Sequence, residues 1–337
     1  MIKKILFIRR DNIGDLVCTT PAIHAVRNQH PDAKIGILVN TYNVAAIRNN
    51  PDIDEIYTYE KAKHAPEKNK ISVWLNNLKV LHKIRKEKYD AAIGCGSYSP
   101  RLARYTFITG AKKRIGYFKK GMKSRFYNMP LYEPEEILHE VEKTFNLVSC
   151  LGISGAPQQL RIFPSENEVR KVQYLLNASG FSKGKHLIAF HISSRRPENR
   201  WPAEKFMELG KLILGRYNAA ILLLWSPGSE KNIYHPGDDE KAEFIKNSLK
   251  PKPIACKTTK LGELISALSL SSLVVCCDGG AMHIAAALQK PIVTIWGSTN
   301  PKSWAPWGTR HVILTNGENA SMVSVNDVFA AINTMLD

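Results

Sequence analysis

The feature that most constrains this chain is an alternation. Short apolar runs rich in β-branched residues are separated by longer stretches with helical spacing, and the series runs through once and then starts again. Parallel βαβ units read this way, because each strand needs a crossover helix before its parallel neighbour. In the first half the pattern predicts strands over Ile5–Ile8, Ile35–Val39, Glu55–Tyr59 and Ala91–Ile93, with a short one near Ile115. Helices are expected over Leu16–Arg27, Val44–Arg48 and Ile71–Lys88, the last with Trp74, Leu78, Leu81 and Ile84 on its core face. After a helix over Glu140–Leu151, the small and polar stretch Gly152–Gln159 reads as a linker.

The second half repeats the theme. Strands are expected over Leu187–Phe190, Ala220–Leu224, Leu273–Cys277 and Ile292–Trp296, and helices over Glu166–Ala178, Ala203–Leu214, Asp239–Leu249, Leu261–Leu268 and Val325–Leu336. A chain of 337 residues exceeds the size, about 250–300 residues, at which single cores stop growing. The expected division is a Rossmann-like domain over 1–158, a second over 159–323, and a C-terminal helix over 324–337 that packs back on the first domain with Ser324 as its N-cap.

No apolar run approaches the length of a membrane span, and the basic start Met1–Ile8 meets Arg9-Arg10-Asp11 without a cleavage site, so it reads as a first strand. The six cysteines show no C-x-x-C spacing, which points away from a zinc site or a disulfide framework and toward a reducing cytoplasm. The net charge of +17 is uneven, with 26 Lys and Arg against 15 Asp and Glu in residues 1–150. Lys112, Lys113, Arg114, Lys119, Lys120, Lys123 and Arg125 follow one another with no acidic residue between them, a segment that attracts polyanions or simply aids solubility.

In open α/β sheets ligands bind beyond the carboxyl ends of the strands, so loops that follow strands are where chemistry is expected. Three stand out. Arg9-Arg10-Asp11-Asn12-Ile13-Gly14-Asp15 follows the first strand; position alone reads Asp15 first as a helix cap, and a carboxylate in a cleft can also act as a general base, with Asp11 as its local competitor. His191–Pro202 gathers Ser193, Ser194, Arg195, Arg196, Asn199 and Arg200, a set suited to a diphosphate through charge-assisted bonds. Asp278-Gly279-Gly280-Ala281-Met282-His283 runs from strand into helix, where backbone amides attract an anion. There is no G-x-G-x-x-G after the first strand and no G-x-x-x-x-G-K-[ST], which disfavours a nicotinamide dehydrogenase or a P-loop ATPase. No D-x-D stands in a strand-end loop either, so no metal is expected and the diphosphate would be held by Arg and backbone.

Ile13-Gly14-Asp15-Leu16 with Thr20-Pro21-Ala22, the run Arg200-Trp201-Pro202-Ala203-Glu204-Lys205-Phe206, and Asp278–Ala287 with Pro291 occur in one order across nearly the whole chain. Together they resemble the heptosyltransferases, glycosyltransferase family nine. The resemblance implies a GT-B type fold, two Rossmann-like domains with parallel sheets facing a central cleft. It implies an inverting, metal-independent transfer of heptose from ADP-heptose to a sugar hydroxyl of the lipopolysaccharide inner core, with no cofactor. On that basis Asp15 is the catalytic base. Ser193, Ser194, Asp278, Gly280 and His283 would meet the donor's diphosphate and sugar, and Glu230 its nucleoside. Where the family commonly carries Lys two positions before Trp201 this chain has Asn199, so Arg195, Arg196 or Arg200 would supply the charge.

The basic excess then suits an anionic lipid-linked glycan at the inner face of the cytoplasmic membrane. Asp11, Lys112, Lys113, Arg114, Lys119, Lys120, the Lys61–Lys70 stretch and His139 are its expected contacts, and no nucleic acid partner is expected. The alternatives on sequence alone are a GT-B transferase or epimerase using another nucleotide sugar, or a non-catalytic polyanion-binding protein.

Overall fold

The computed structural model describes residues 2–61, 69–119, 121, 125–182, 184–232 and 236–336. The chain forms two compact units, Met1–Arg161 and Ile162–Asp337.

In the first unit the order is β1 (Lys4–Ile8), α1 (Ile13–Val17), α2 (Thr20–Gln29), β2 (Lys34–Asn40), β3 (Glu55–Tyr59), α3 (Lys70–Lys86), β4 (Ala91–Gly94), α4 (Pro100–Ile108), β5 (Lys113–Phe118), β6 (Met129–Tyr132) and α5 (Glu140–Val148). The strands join in one sheet of order β3-β2-β1-β4-β5-β6, every neighbour parallel. Burial on both faces explains why β1 and β4 read as unbroken apolar runs. Each fully buried Ile or Leu of such a strand contributes about 1.5–3 kcal/mol relative to exposure.

The second unit runs α6 (Glu166–Ala178), β7 (His186–His191), α7 (Ala203–Arg216), β8 (Ala219–Trp225), α8 (Asp239–Ser248), β9 (Ile254–Lys257), α9 (Leu261–Ser269), β10 (Leu273–Cys277), α10 (Gly280–Ala287), β11 (Ile292–Trp296), α11 (Pro301–Trp304), β12 (His311–Thr315) and α12 (Val325–Leu336). Its sheet has the order β12-β11-β10-β7-β8-β9, again parallel throughout. In both units the first strand of the unit is central and the order reverses beside it, between β1 and β4 and between β7 and β10. That is the topological switch point at which such sheets leave a crevice for a ligand.

Two expectations are corrected. The C-terminal helix α12 packs on α7, β11 and β12 of the second unit. Its apolar stripe, Val325, Val328, Ala331, Ile332 and Met335, joins the same buried cluster as Phe190, Trp201 and Phe206. The second change concerns α3, whose buried face is Val73, Leu81 and Ile84, while Ile71, Trp74, Leu75 and Leu78 are exposed. The spacing of the apolar residues is helical, but there are more of them than one packed face holds, so a second stripe faces outward.

Candidate functional site

At the carboxyl edge of the first sheet, β1 ends in Arg9, which is 1% exposed. Its Nη2 donates to Asp15 Oδ1 at 2.6 Å and lies 2.8 Å from Glu140 Oε1, and its Nε lies 3.5 Å from Asp11 Oδ2. Burial alone would lower the guanidinium pKa, yet the field of Glu140, Asp15 and Asp11 raises it. Arg9 is therefore a fixed cation under a ring of carboxylates.

Asp15 occupies the third position of α1 and closes a capping box with Asn12, whose backbone N–H donates to Asp15 Oδ2 at 3.0 Å. Burial pushes this carboxyl up, but the charge and hydrogen bond of Arg9, with the Asn12 bonds, leave it below the usual carboxylate range. Asp11 has half of its side-chain surface exposed, and there partial burial outweighs the pull of Arg9, so its carboxyl is raised. Capping and chemistry are thus both open to Asp15, which is ionised at neutral pH, each oxygen keeping a second lone pair.

The basic residues of the first unit separate into two groups. Lys112, Lys113 and Arg114 stand at the start of β5, so parallel strands carry them to the amino edge of the sheet, away from the Arg9 loop. There Lys112 Nζ sits 3.5 Å from Asp90 Oδ1, and Arg114 donates to the carbonyls of Phe126 and Ala111. Arg114 is a structural clamp, and the three are not brought to the expected acceptor site. Lys119 follows β5 at the carboxyl edge and is exposed. Lys120, Lys123 and residues 62–68 of the Lys61–Lys70 stretch lie outside the described residues. His139 is 5% exposed and caps α5, its Nδ1 accepting from the Val141 N–H at 3.1 Å, a role that its position before a helix allows without any ligand.

At the carboxyl edge of the second sheet, three loops meet around Asp278. Its Oδ2 accepts from Thr299 Oγ1 at 2.6 Å and from Asn199 Nδ2 at 2.8 Å, while its carbonyl accepts from Ser194 Oγ at 3.3 Å. Burial raises the Asp278 carboxyl pKa against the bonds from Thr299 and Asn199 and the charge of Arg196. Asn199 is buried and its Oδ1 accepts from the Gly297 N–H at 3.1 Å, so it ties the loops after β7, β10 and β11 together. A Cβ on Gly297 would stand 2.4 Å from the Glu198 carbonyl oxygen, which is why that turn carries glycine. Asn199 thus braces these loops, while Arg195 and Arg196 are exposed and Arg200 is partly buried.

Arg200 donates from Nε to the Ser194 carbonyl at 2.9 Å and pairs with the exposed Glu230. Ser193 Oγ accepts from the Ser226 N–H at 2.9 Å. Gly279 caps α10 at φ 157° and ψ −169°, a conformation essentially closed to other residues, and with Gly280 opens the helix N-terminus. His283 is 3% exposed and lies edge-on to Trp304 at 5.9 Å. Trp201 and Lys205 of the Arg-Trp-Pro run donate to the carbonyls of Val323 and Ser321, which makes them scaffold. Of the predicted donor set, Ser194, Asn199, Arg200, Glu230 and Asp278 form one connected network, joined by the Gly279–Gly280 helix start.

The sequence reasoning missed Arg9 and Glu140 as site residues. A charged residue directly after an unbroken apolar strand, where burial is imposed, was the available signal for Arg9. Glu140 has no such local signal, because its partner is far off in sequence.

The family model described as glycosyltransferase family 9 (heptosyltransferase) matches residues 77–329. Lipopolysaccharide heptosyltransferase 3 of Escherichia coli (strain K12) is 24% identical over 345 residues, covering 96% of this chain and 95% of that protein. The crystal structure of a family 9 glycosyl transferase from Veillonella parvula superposes with a TM-score of 0.84 at 22% identity, over 99% of this chain and 97% of the other. Escherichia coli heptosyltransferase WaaC solved with ADP gives 0.78 at 20% identity, over 98% and 99%. With a parallel six-stranded sheet in each unit, a connected polar network at the carboxyl edge of the second, and a family match across three quarters of its length, this chain belongs to glycosyltransferase family 9, the heptosyltransferase family.

Proposed function

We propose that the protein transfers a heptose from ADP-heptose to a hydroxyl of an anionic, lipid-linked core glycan of lipopolysaccharide, with inversion at the anomeric carbon. The observation that carries this is the network around Asp278, because it sets arginines and a helix N-terminus at one strand edge, where a departing diphosphate would need them. Arg195, Arg196 and Arg200 meet the growing negative charge, and stabilisation that strengthens toward the transition state is what accelerates the step. Asp15 takes the proton from the attacking hydroxyl. Its carboxylate, held ionised by Arg9, is ready at neutral pH, and a single displacement inverts the centre. The names of similar proteins support the donor and the acceptor class: one relative is a lipopolysaccharide heptosyltransferase, and one solved structure of similar fold was obtained with ADP.

The test is calorimetric titration of ADP, UDP and GDP into wild type and Asp278→Ala. Selective ADP binding is expected, weakened about tenfold or more in the variant, since loss of Asp278 frees the loops after β7 and β11. Preference for UDP or GDP would discard the donor, and no binding of any of them would discard the transfer.

The work place is the inner face of the cytoplasmic membrane. No helix among the described residues is long and apolar enough to cross a membrane. The exposed stripe Ile71, Trp74, Leu75 and Leu78 of α3, beside the exposed Lys70 and Lys79, is suited to lying on an anionic surface. Co-sedimentation with phosphatidylglycerol-containing vesicles, lost in Trp74→Ser/Leu78→Ser, is the expected result. Equal sedimentation of variant and wild type would remove α3 from this role.

A further inference from the structure

The first unit holds a second feature at its carboxyl edge that no residue of the transfer chemistry explains. A cavity of about 690 Å³ opens beside the β1–α1 loop, lined by Arg10, Lys61, Arg101 and Arg104 with Tyr59 and Tyr105, and Glu60 is the one carboxylate in its wall. Four cations against one acid leave a positive field in a concave space open to solvent. The volume is of the size that takes a small ligand.

The helix α4 builds this wall by its spacing. Ser99 caps it, Pro100 opens it, and Leu102, Ala103 and Thr106 turn into the core, which leaves Arg101, Arg104 and Tyr105 on one outward stripe. Arg101 and Arg104 are solvent-exposed, and among the described residues neither has an acidic partner, so both forks are open to an anion. Arg10 is held differently. Its guanidinium carbon sits 3.9 Å from the Tyr105 ring centre and 4.9 Å from that of Tyr59, and the Tyr59 hydroxyl donates to the Arg10 carbonyl at 2.9 Å. The Arg10 Nε is buried without a hydrogen-bond partner. Two aromatic rings hold the fork flat, so little freedom is left to lose when an anion binds.

We propose that Arg10, Arg101 and Arg104 form a subsite for a phosphate monoester carried by the acceptor sugar. Planar guanidinium forks match a phosphoryl group bidentately, and a dianion suits three arginines and a lysine better than a single carboxylate does. The inference rests on the anionic acceptor proposed above and names the group by which it is held. It also moves that contact from Lys112–Arg114, at the far edge of the sheet, to α4.

The test uses the full chain with saturating ADP, titrated by calorimetry with glucose 6-phosphate, and with glucose and glucuronate as controls. Glucose 6-phosphate should bind, glucose should not at the same concentration, and glucuronate should be at least fivefold weaker. Arg101→Ser/Arg104→Ser should weaken glucose 6-phosphate by tenfold or more with unchanged melting temperature and ADP affinity, and Lys112→Ser/Lys113→Ser should leave all values at wild type. Equal affinity in the α4 variant, no affinity in wild type, or glucuronate binding as tightly as the phosphate would each overturn the subsite. Failure of ADP to bind wild type strikes the donor reading alone, because the glucose 6-phosphate titration is then repeated without nucleotide and still decides the subsite.

Discussion

Asp15→Asn is expected to lower kcat by about 10²–10⁴, the range for removing a positioned general base, while ADP affinity stays within a factor of two. Asn keeps the size and one acceptor oxygen of the carboxylate, and Asp15 Oδ1 and Oδ2 both accept hydrogen bonds, from Arg9 and from the Asn12 amide. With that one oxygen turned to the Asn12 amide the cap is kept and the Arg9 bond is lost, so stability falls as well, and kcat of the folded enzyme isolates the loss of proton transfer. A pH profile adds a second check. The Arg9 guanidinium holds the Asp15 carboxyl below its ordinary value of 3.8, so the base remains ionised throughout the working range and kcat/KM should show no acid limb from it above pH 3.8.

The rival base in the same loop is Asp11, which is more exposed and has a raised carboxyl, and so makes the stronger base. Asp11→Asn run beside Asp15→Asn separates them. A loss confined to Asp11→Asn, together with an acid limb above pH 3.8 in the wild type, would transfer the role. Turnover retained by both variants would remove the aspartate base altogether.

The parts of the fold that were legible from sequence are those where one physical signal dominates. β1, β4, β10 and β11 are buried on both faces, so each shows as an unbroken apolar run between loop residues. β6 and β12 are edge strands with partly exposed residues, and their mixed composition gave no comparable signal. α4 also escaped, because Arg101 and Arg104 interrupt its apolar residues and its buried face is short. With it went the cavity, although Arg101, Arg104, Tyr105 and Ile108 stand at helical spacing and could have been read as one stripe.

The site was legible to the same degree. The loops after β1, β7 and β10 could be found because strand ends announce themselves, and Asp278 indeed gathers Asn199 and Thr299. Roles within the loops were less readable. Asn199, expected as a donor contact, also braces the loops, and that role could not be read locally because it depends on the Gly297 amide nearly a hundred residues later. Lys112–Arg114 looked like an acceptor patch because charge clustering carries no information on which edge of a parallel sheet the cluster will occupy. Direction along the strand settles that, and it is a property of the sheet.

Arg9→Met should be the most destabilising single change in the first unit, at about 3–5 kcal/mol in urea unfolding at pH 7.5, the cost of leaving buried charges without their partner. Met fills much of the aliphatic volume, so the loss is electrostatic: Asp15 and Glu140, 2.6 and 2.8 Å from the Arg9 Nη2, would face each other without a cation. The sign of the pH dependence identifies the cause. In the wild type the Asp15 carboxyl is depressed in the fold, so its contribution is complete above 3.8 and is lost as pH falls through the folded value. Without Arg9, burial, the largest influence on this carboxyl, is opposed only by the Asn12 bonds, and the folded value is expected to rise above 3.8. The group then stabilises most below 3.8, and that contribution disappears as pH rises through the raised value. The gap between variant and wild type should therefore narrow as pH falls from 7.5 toward 3.8, whereas a packing defect would keep it constant. Arg9→Met/Glu140→Leu provides the complementary result: with one of the stranded carboxylates also removed, part of the lost stability should return, because a buried ion pair replaced as a unit often costs little. If Arg9→Met unfolds within about 1 kcal/mol of wild type at pH 7.5, the buried cation is not what holds Asp15 in its ionised state, and the loop after β1 is organised by the capping box alone.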